Sequence, residues 1–320
     1  MTARIAGIGT CVPENIITND DLAKIVDTSD EWIRSRTGIR ERRISTKEGT
    51  SELAAQAARR ALEAAGVSAE EVDIIILGTS SPDYNYPSGA CEVQAAIGAV
   101  HAVAFDISAA CAGFIFAMEI VQGFFQSGVY RTALIIGAET LSKVTDWSDR
   151  STCVLFGDGA GAAVLKAEET GIIDMTMGSD GTKGEALACR SRSLGNFLTG
   201  TKPELGFMTM DGQEVFRFAV KKVPESIEVL LDKTGISKDE IRYFVLHQAN
   251  ERIVEAVAKR LKQPMEKFPM SISRYGNTST ASIPLLLNEM LEQNMLKRGD
   301  KIIMSGFGAG MTWGAVLLEW

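Results

Sequence analysis

Short apolar runs rich in branched residues alternate along this chain with longer segments whose apolar positions recur at helical spacing. In the first half the runs are Arg4–Gly9, Val72–Thr79, Ala102–Ile107 and Ala133–Ala138, read as strands. Helices fit between them at Ser51–Ala65, where an alanine-rich apolar stripe repeats, at Cys91–Ile97 and at Cys111–Ser127. The second half continues the rhythm. Ala160–Lys166 and Gly171–Met177 read as strands, followed by a long helix near Glu214–Thr234. Strand Tyr243–Leu246, helix Glu251–Leu261, helix Ser279–Gln293 and strands Lys301–Ser305 and Trp313–Glu319 complete the chain. Such alternation predicts an α/β protein with substantially parallel sheets.

The pattern contains a weak echo of itself. Asp73-Ile-Ile-Ile-Leu-Gly resembles Arg242-Tyr-Phe-Val-Leu-His, and each precedes a loop and a helix. Thr132-Ala-Leu-Ile-Ile-Gly likewise resembles Lys301-Ile-Ile-Met-Ser-Gly. Duplication of one α/β unit is the reading, with halves at 1–170 and 171–320. The fixed short period of a solenoid is absent.

Composition narrows the class. With 320 residues, 45% hydrophobic and 23% charged, the chain has ample core for one large or two moderate globular domains. The opening residues read as a strand rather than a signal peptide. The most apolar window, residues 102–121, carries Asp106 and Glu119 and divides into strand and helix, so no membrane span is expected. Five scattered cysteines without a CxxC pair predict a reducing, cytoplasmic setting without disulfides or zinc, and two histidines offer few metal ligands. A formal net charge of −8 argues against general nucleic-acid binding; an acidic partner would need a local basic patch.

Cys111 is the first candidate for chemistry. It lies between a strand and an almost uncharged helix, where unpaired N–H groups and the helix dipole favour a thiolate. Position alone also fits a small buried hydrophobe. His247 closes the run Tyr-Phe-Val-Leu-His at the C-terminal end of a strand, where α/β folds place their chemistry. Asn277, in Tyr-Gly-Asn-Thr-Ser, suits either a site amide or ordinary turn and capping chemistry. The glycine clusters Gly157–Gly161 and Gly306–Gly310 lead into strand-like residues and match no phosphate-loop pattern. Tight turns explain them better, and a backbone N–H of the second cluster could serve an oxyanion.

Taken in order, Asp27-Thr-Ser-Asp-Glu-Trp-Ile, Arg36-Thr-Gly-Ile-Arg-Glu-Arg, Ala109-Ala-Cys-Ala-Gly-Phe, Phe156-Gly-Asp-Gly-Ala-Gly-Ala, His247-Gln-Ala-Asn, Tyr275-Gly-Asn-Thr-Ser and Thr312-Trp-Gly form a pattern. The chain resembles the β-ketoacyl-acyl-carrier-protein synthase III family of thiolase-like condensing enzymes, over nearly its whole length. The resemblance implies a duplicated five-layered αβαβα fold, a homodimer, and condensation of an acyl-CoA primer with malonyl-acyl-carrier protein. It implies no metal or redox cofactor.

Residue by residue, the resemblance makes Cys111 the nucleophile that takes the acyl group, and His247 and Asn277 the donors to the malonyl thioester oxygen. Its oxyanion hole would use the backbone N–H groups of Cys111 and Ala309, where many relatives have glycine at the latter position. Phe307 would pack beside the thiol. Trp32 and Arg150 would sandwich the CoA adenine, with Arg36 near a phosphate and Asn250 on the pantetheine arm. Arg217, Arg252, Lys259 and Arg260 would meet the acidic carrier protein. Tyr86 corresponds to a residue that in relatives reaches into the partner's primer pocket, and a large aromatic there suits a short primer. Two other readings stand beside this one. A specialised starter-unit acyltransferase could dispense with Asn277, and a noncatalytic CoA-binding scaffold would have lost part of the Cys-His-Asn set.

Overall fold

A computed structural model describes all residues, Met1 to Trp320. Two mixed sheets form its frame. The first runs Thr2–Cys11, Gly159–Glu168, Thr132–Glu139, Ile74–Gly78 and Val103–Ile107 from edge to edge. The second runs Ile172–Ser179, Thr312–Glu319, Lys301–Gly308 and Tyr243–Leu246. Read in that direction, the first two pairings are antiparallel and the third is parallel in both sheets. Ile74–Gly78 therefore corresponds to Tyr243–Leu246, and Thr132–Glu139 to Lys301–Gly308. These are the two segment pairs that echo each other in sequence. Only the edge strand Val103–Ile107 has no counterpart in the second sheet.

Continuous apolar strands follow from burial on both faces. Ile74 and Ile76 enter a central core while Ile75 and Leu77 enter an outer one. In the second sheet Tyr243 and Val245 face the same central core, and Phe244 and Leu246 face a third. Helices Gly113–Ser127 and Ser282–Glu292 supply Phe114, Met118, Val121, Leu286 and Met290 to the central core. Thr50–Ala65 and Gly89–Ile97 cover the outside of the first sheet, and Gly212–Thr234 and Glu251–Leu261 the outside of the second. The layers read α-β-α-β-α. Ala110–Ser127 has the length and hydropathy of a membrane span, but here it is packed as a core helix.

Element boundaries shift where capping decides them. Asp211 accepts from the N–H groups of Gln213 and Glu214, so the long helix starts at Gly212 rather than Glu214. Both central helices are entered through one 3-10 turn, Ala110–Ala112 and Ser279–Ala281. The hairpin of Leu187–Cys189 with Met208–Met210 was not foreseen, its strands being three residues each.

Candidate active site

Four chain segments meet where the two sheets end. Val103–Ile107 leads to Cys111, Tyr243–Leu246 to His247, and Lys301–Gly308 ends beside Cys111. The fourth segment is the turn carrying Asn277, before the Ser282–Glu292 helix. Cys111, His247, Asn277, Asn250 and Phe307 line one pocket. All but Asn250 are nearly buried.

Cys111 follows Ala110, whose φ of 45° sets the left-handed turn into the helix. A Cβ on Gly308 would lie 2.6 Å from the Cys111 nitrogen, so only glycine permits this approach. Burial pushes the Cys111 thiol up to about 12, outweighing the Ser279 hydroxyl, which lowers it; nearby Glu139 raises it further. The resting residue is a neutral thiol. A 3-10 turn separates the sulfur from the α-helix, which begins only at Gly113.

His247 is held by its other nitrogen. Nδ1 lies 2.6 Å from Ser282 Oγ, and that oxygen also accepts from the Gln248 N–H at 3.3 Å. A Ser282 hydroxyl that donates to Nδ1 leaves the ring proton on Nε2. Burial drives the imidazole pKa down to about 3, so the ring is neutral at physiological pH. Phe307 meets it edge to face, with centroids 5.3 Å apart.

Asn277 is fixed on three sides. Its Oδ1 accepts from the Ser279 N–H at 2.9 Å, its N–H donates to Leu155 O at 2.9 Å, and its carbonyl accepts from Gly157 at 3.0 Å. With Oδ1 engaged, the amide presents donors rather than an acceptor to the pocket. A neutral thiol, a neutral imidazole N–H and an amide N–H therefore share one apolar space. Such a set can receive an acyl group on sulfur and stabilise an oxyanion by neutral donors.

A second pocket also reaches Cys111 and shares Phe156 and Leu187 with the first. Leu141, Phe156, Leu187, Met208 and Ala309 line it. Sequence reasoning missed Leu187 and Met208, since a three-residue hairpin strand carries no periodic signal, and Leu141, which opens a single 3-10 turn. It also missed Ser282, which looks like an ordinary helix-start serine. Ala309 does not have positive φ, so its β-carbon causes no backbone strain.

The residues expected to hold CoA lie at the surface, in a different arrangement. Trp32, on the Asp30–Thr37 helix, has the Arg36 guanidinium 4.7 Å from its ring centroid and that of Arg150 at 5.1 Å. Both are direct stacking distances. Arg150 also donates to the Asp27 carbonyl at 2.8 Å. No gap for an adenine exists between Trp32 and Arg150 in this state. Arg36 stacks on the indole instead of standing apart for a phosphate. Asn250 lines the first pocket but caps the Glu251–Leu261 helix and donates to Arg36 O at 3.0 Å, leaving one amide hydrogen free.

Three of the four expected docking cations already have partners. Arg217 pairs with Glu214 at 3.0 Å, Arg260 with Glu225 at 3.6 Å, and Arg252 donates to Ser35 O at 2.8 Å. Lys259 is exposed and makes no ion pair. Tyr86 is 87% exposed and lies outside both pockets of its own chain.

Comparison with known proteins gives one consistent result. The family model described as 3-oxoacyl-(acyl-carrier-protein) synthase III matches residues 105–181, and its C-terminal counterpart matches residues 231–320. The β-ketoacyl-(acyl-carrier-protein) synthase III of Clostridium acetobutylicum is 50% identical over 321 residues, covering 100% of this chain and 99% of that protein. The crystal structure of 3-oxoacyl-(acyl-carrier-protein) synthase III from Aquifex aeolicus superposes with a TM-score of 0.93 at 46% identity, covering 99% of this chain and 100% of the other. The priming β-ketosynthase of the R1128 polyketide pathway gives 0.91 at 35% identity, covering 99% and 96%.

Proposed function

The chain belongs to the 3-oxoacyl-(acyl-carrier-protein) synthase III family, a family of condensing acyltransferases, and from that premise we propose how its residues divide the reaction. Cys111 attacks an acyl-CoA thioester and keeps the acyl group, releasing CoA. The malonyl thioester of acyl carrier protein then occupies the first pocket. His247 Nε2–H and Asn277 Nδ2–H donate to its carbonyl oxygen as carbon dioxide leaves, stabilising charge that exists only as the enolate forms. The enolate carbon attacks the acyl-Cys111 carbonyl, whose oxygen is received by the backbone N–H groups of Cys111 and Ala309. Sulfur departs and a 3-oxoacyl product remains on the carrier protein.

One observation carries this reading: the neutral His247 imidazole, its Nδ1 held by Ser282, shares a pocket with Asn277 and the Cys111 thiol. A protonated histidine would favour a charged ligand; a neutral donor favours an oxygen that becomes charged during the reaction. In the test, Cys111→Ala protein receives malonyl-acyl-carrier protein and acetyl-CoA in turn. It should release carbon dioxide from the first and take no covalent label from the second. Covalent labelling of the variant would overturn the assignment.

The second pocket receives the acyl chain of the primer, its apolar wall formed by Leu141, Phe156, Leu187 and Met208. The protein works as a homodimer. Val103–Ile107 is an open sheet edge, and Val103 is 48% exposed, as an unpaired strand rarely is in a monomer. In such a pair Tyr86 of each chain closes the primer pocket of the other, favouring a short acyl group. Thiol, imidazole and amide suffice for this chemistry, so no cofactor enters it. The two sheet repeats are halves meeting near residue 170, the first holding the nucleophile and the second the two donors. CoA binding requires Arg150 to leave Trp32 so that the adenine can take its place. Arg217, Arg252, Lys259 and Arg260 flank the route by which the acidic carrier protein arrives. Five free cysteines fit a reducing cytoplasm.

A further inference from the structure

One buried cation takes no part in the proposed reaction. Arg42, in the short strand Glu41–Arg43, has no exposed surface, and all its acceptors are neutral oxygens. Its Nη2 donates to the Val154 carbonyl at 2.8 Å, and its Nη1 donates to Asn19 Oδ1 at 2.9 Å and to the Ile17 carbonyl at 3.2 Å. The Nε hydrogen finds no acceptor. Burial lowers the Arg42 pKa to about 10, which still leaves the guanidinium charged at neutral pH. A buried cation without a counter-charge is costly, and a packed apolar side chain commonly serves stability as well or better. What the guanidinium adds at this position is a set of directed hydrogen bonds.

Those bonds join two parts of the chain. On one side is a fixed frame. Ile17 pairs with Arg42 across two short strands, and Asn19 is itself held, donating to the Ile39 carbonyl at 2.8 Å and to Asp30 at 2.9 Å. On the other side is Val154, which closes the helix Arg150–Cys153 and leads into the segment that grips Asn277. Leu155 accepts from the Asn277 N–H and Gly157 donates to the Asn277 carbonyl, so Phe156 and Asn277 form an isolated parallel bridge.

The stem of Arg42 packs where these two segments touch. A Cβ on Gly157 would lie 2.2 Å from the Tyr275 carbonyl oxygen and 3.2 Å from Arg42 Cβ. One on Gly276 would lie 2.8 Å from the Leu155 carbonyl oxygen and 3.4 Å from Arg42 Cβ. The backbone around Arg42 bonds to both sides as well: the Arg40 N–H donates to Ser273 O at 3.0 Å, and Arg43 O accepts from the Asp158 N–H at 2.8 Å. Arg43 itself turns to Glu41 at 3.5 Å and leaves the buried contacts to Arg42.

We infer that Arg42 is a positioning residue for Asn277: by tying the Val154 carbonyl to Ile17 and Asn19, it fixes where the Asn277 amide stands in the first pocket. The inference rests on the reading of Asn277 as a donor to the malonyl thioester oxygen. Arg42 touches no reacting atom. Cys111 is placed by other segments, the turn after Val103–Ile107 and the close approach of Gly308, and neither bonds to Arg42. The two half-reactions should therefore depend on Arg42 unequally.

The test times them separately in the intact protein. Acylation of Cys111 by acetyl-CoA is followed by rapid quench and intact mass, and decarboxylation by carbon dioxide release from malonyl-acyl-carrier protein. Wild type is compared with Arg42→Met, Arg42→Lys, Asn277→Ala and the double variant of Arg42→Met with Asn277→Ala. Arg42→Met keeps a long stem and removes the donors. It should decarboxylate roughly 10- to 100-fold more slowly, the scale of a displaced site group, and acylate at the wild-type rate. Arg42→Lys, with a single head to share among the acceptors, should lie between Arg42→Met and wild type. The double variant should be no slower in decarboxylation than Asn277→Ala alone, because the amide to be placed is already gone. Equal slowing of both half-reactions, as a general loss of structure would give, would overturn the inference. So would decarboxylation by Arg42→Met at the wild-type rate, or effects that multiply in the double variant. If Arg42→Met does not fold, the same comparisons made with Arg42→Lys decide. Asn277→Ala releasing carbon dioxide at the wild-type rate would instead remove the reading on which the inference rests.

Discussion

His247 sits under Phe307 with its Nδ1 against Ser282, and burial drives its pKa to about 3, below the ordinary value of 6.5. Between those values the unfolded chain takes up a proton that the folded chain refuses. This contribution to stability is therefore whole above about pH 6.5 and is lost as pH falls toward 3. Urea unfolding of His247→Gln should show a shallower loss of stability below pH 6.5 than wild type; equal slopes would contradict a buried neutral imidazole. Ser282→Ala should slow malonyl decarboxylation by roughly tenfold, the scale of a lost orienting hydrogen bond, and leave Cys111 acylation unchanged. A decarboxylation rate equal to wild type would show that Ser282 does not set the ring. Cys111 and His247 were brought forward in sequence by their places after a strand, whereas Asn277 was singled out only by the family resemblance, because its turn looks like ordinary capping chemistry. The bonds of Arg42 to Val154 and of Ser282 to His247 were not legible. The partners lie 112 residues apart in one case and 35 in the other, and nothing local marks such a pairing.

Elements are positioned as closely as residues. The Thr132–Glu139 strand touches the turn before Ser282–Glu292 so tightly that a Cβ on Gly137 would lie 2.2 Å from the Thr280 carbonyl oxygen. Gly137→Ala should cost about 1–3 kcal/mol of stability, the range for overpacking a filled interior, and should slow condensation by shifting Asn277. Unchanged urea unfolding and activity would show that the turn moves freely. Strands and helices were readable here because the sheets are covered on both faces, so apolar runs were unbroken and helical stripes clear. The flap of Leu187–Cys189 and Met208–Met210 was hidden by its brevity. Exposed apolar residues lie between its two strands, Phe197 and Leu198 among them, without any period.

Over the whole molecule, the edge strand Val103–Ile107 carries an exposed valine, and two pockets adjoin at Cys111. Sedimentation should give twice the 34.5 kDa chain mass at micromolar concentration, and Val103→Lys should shift it toward one chain. A monomeric wild type would contradict the dimer. Tyr86→Ala, tested with a series of acyl-CoAs, should relax the preference for short primers; an unaltered series would exclude Tyr86 from the pocket. The covalent step on Cys111 is the centre of the proposed reaction. Wild-type protein incubated with acetyl-CoA, digested and weighed should carry one acetyl group on the peptide containing Cys111. Malonyl-acyl-carrier protein should then remove that group and yield the 3-oxoacyl product. An acetyl group on any other residue, or one that malonyl-acyl-carrier protein leaves in place, would contradict it.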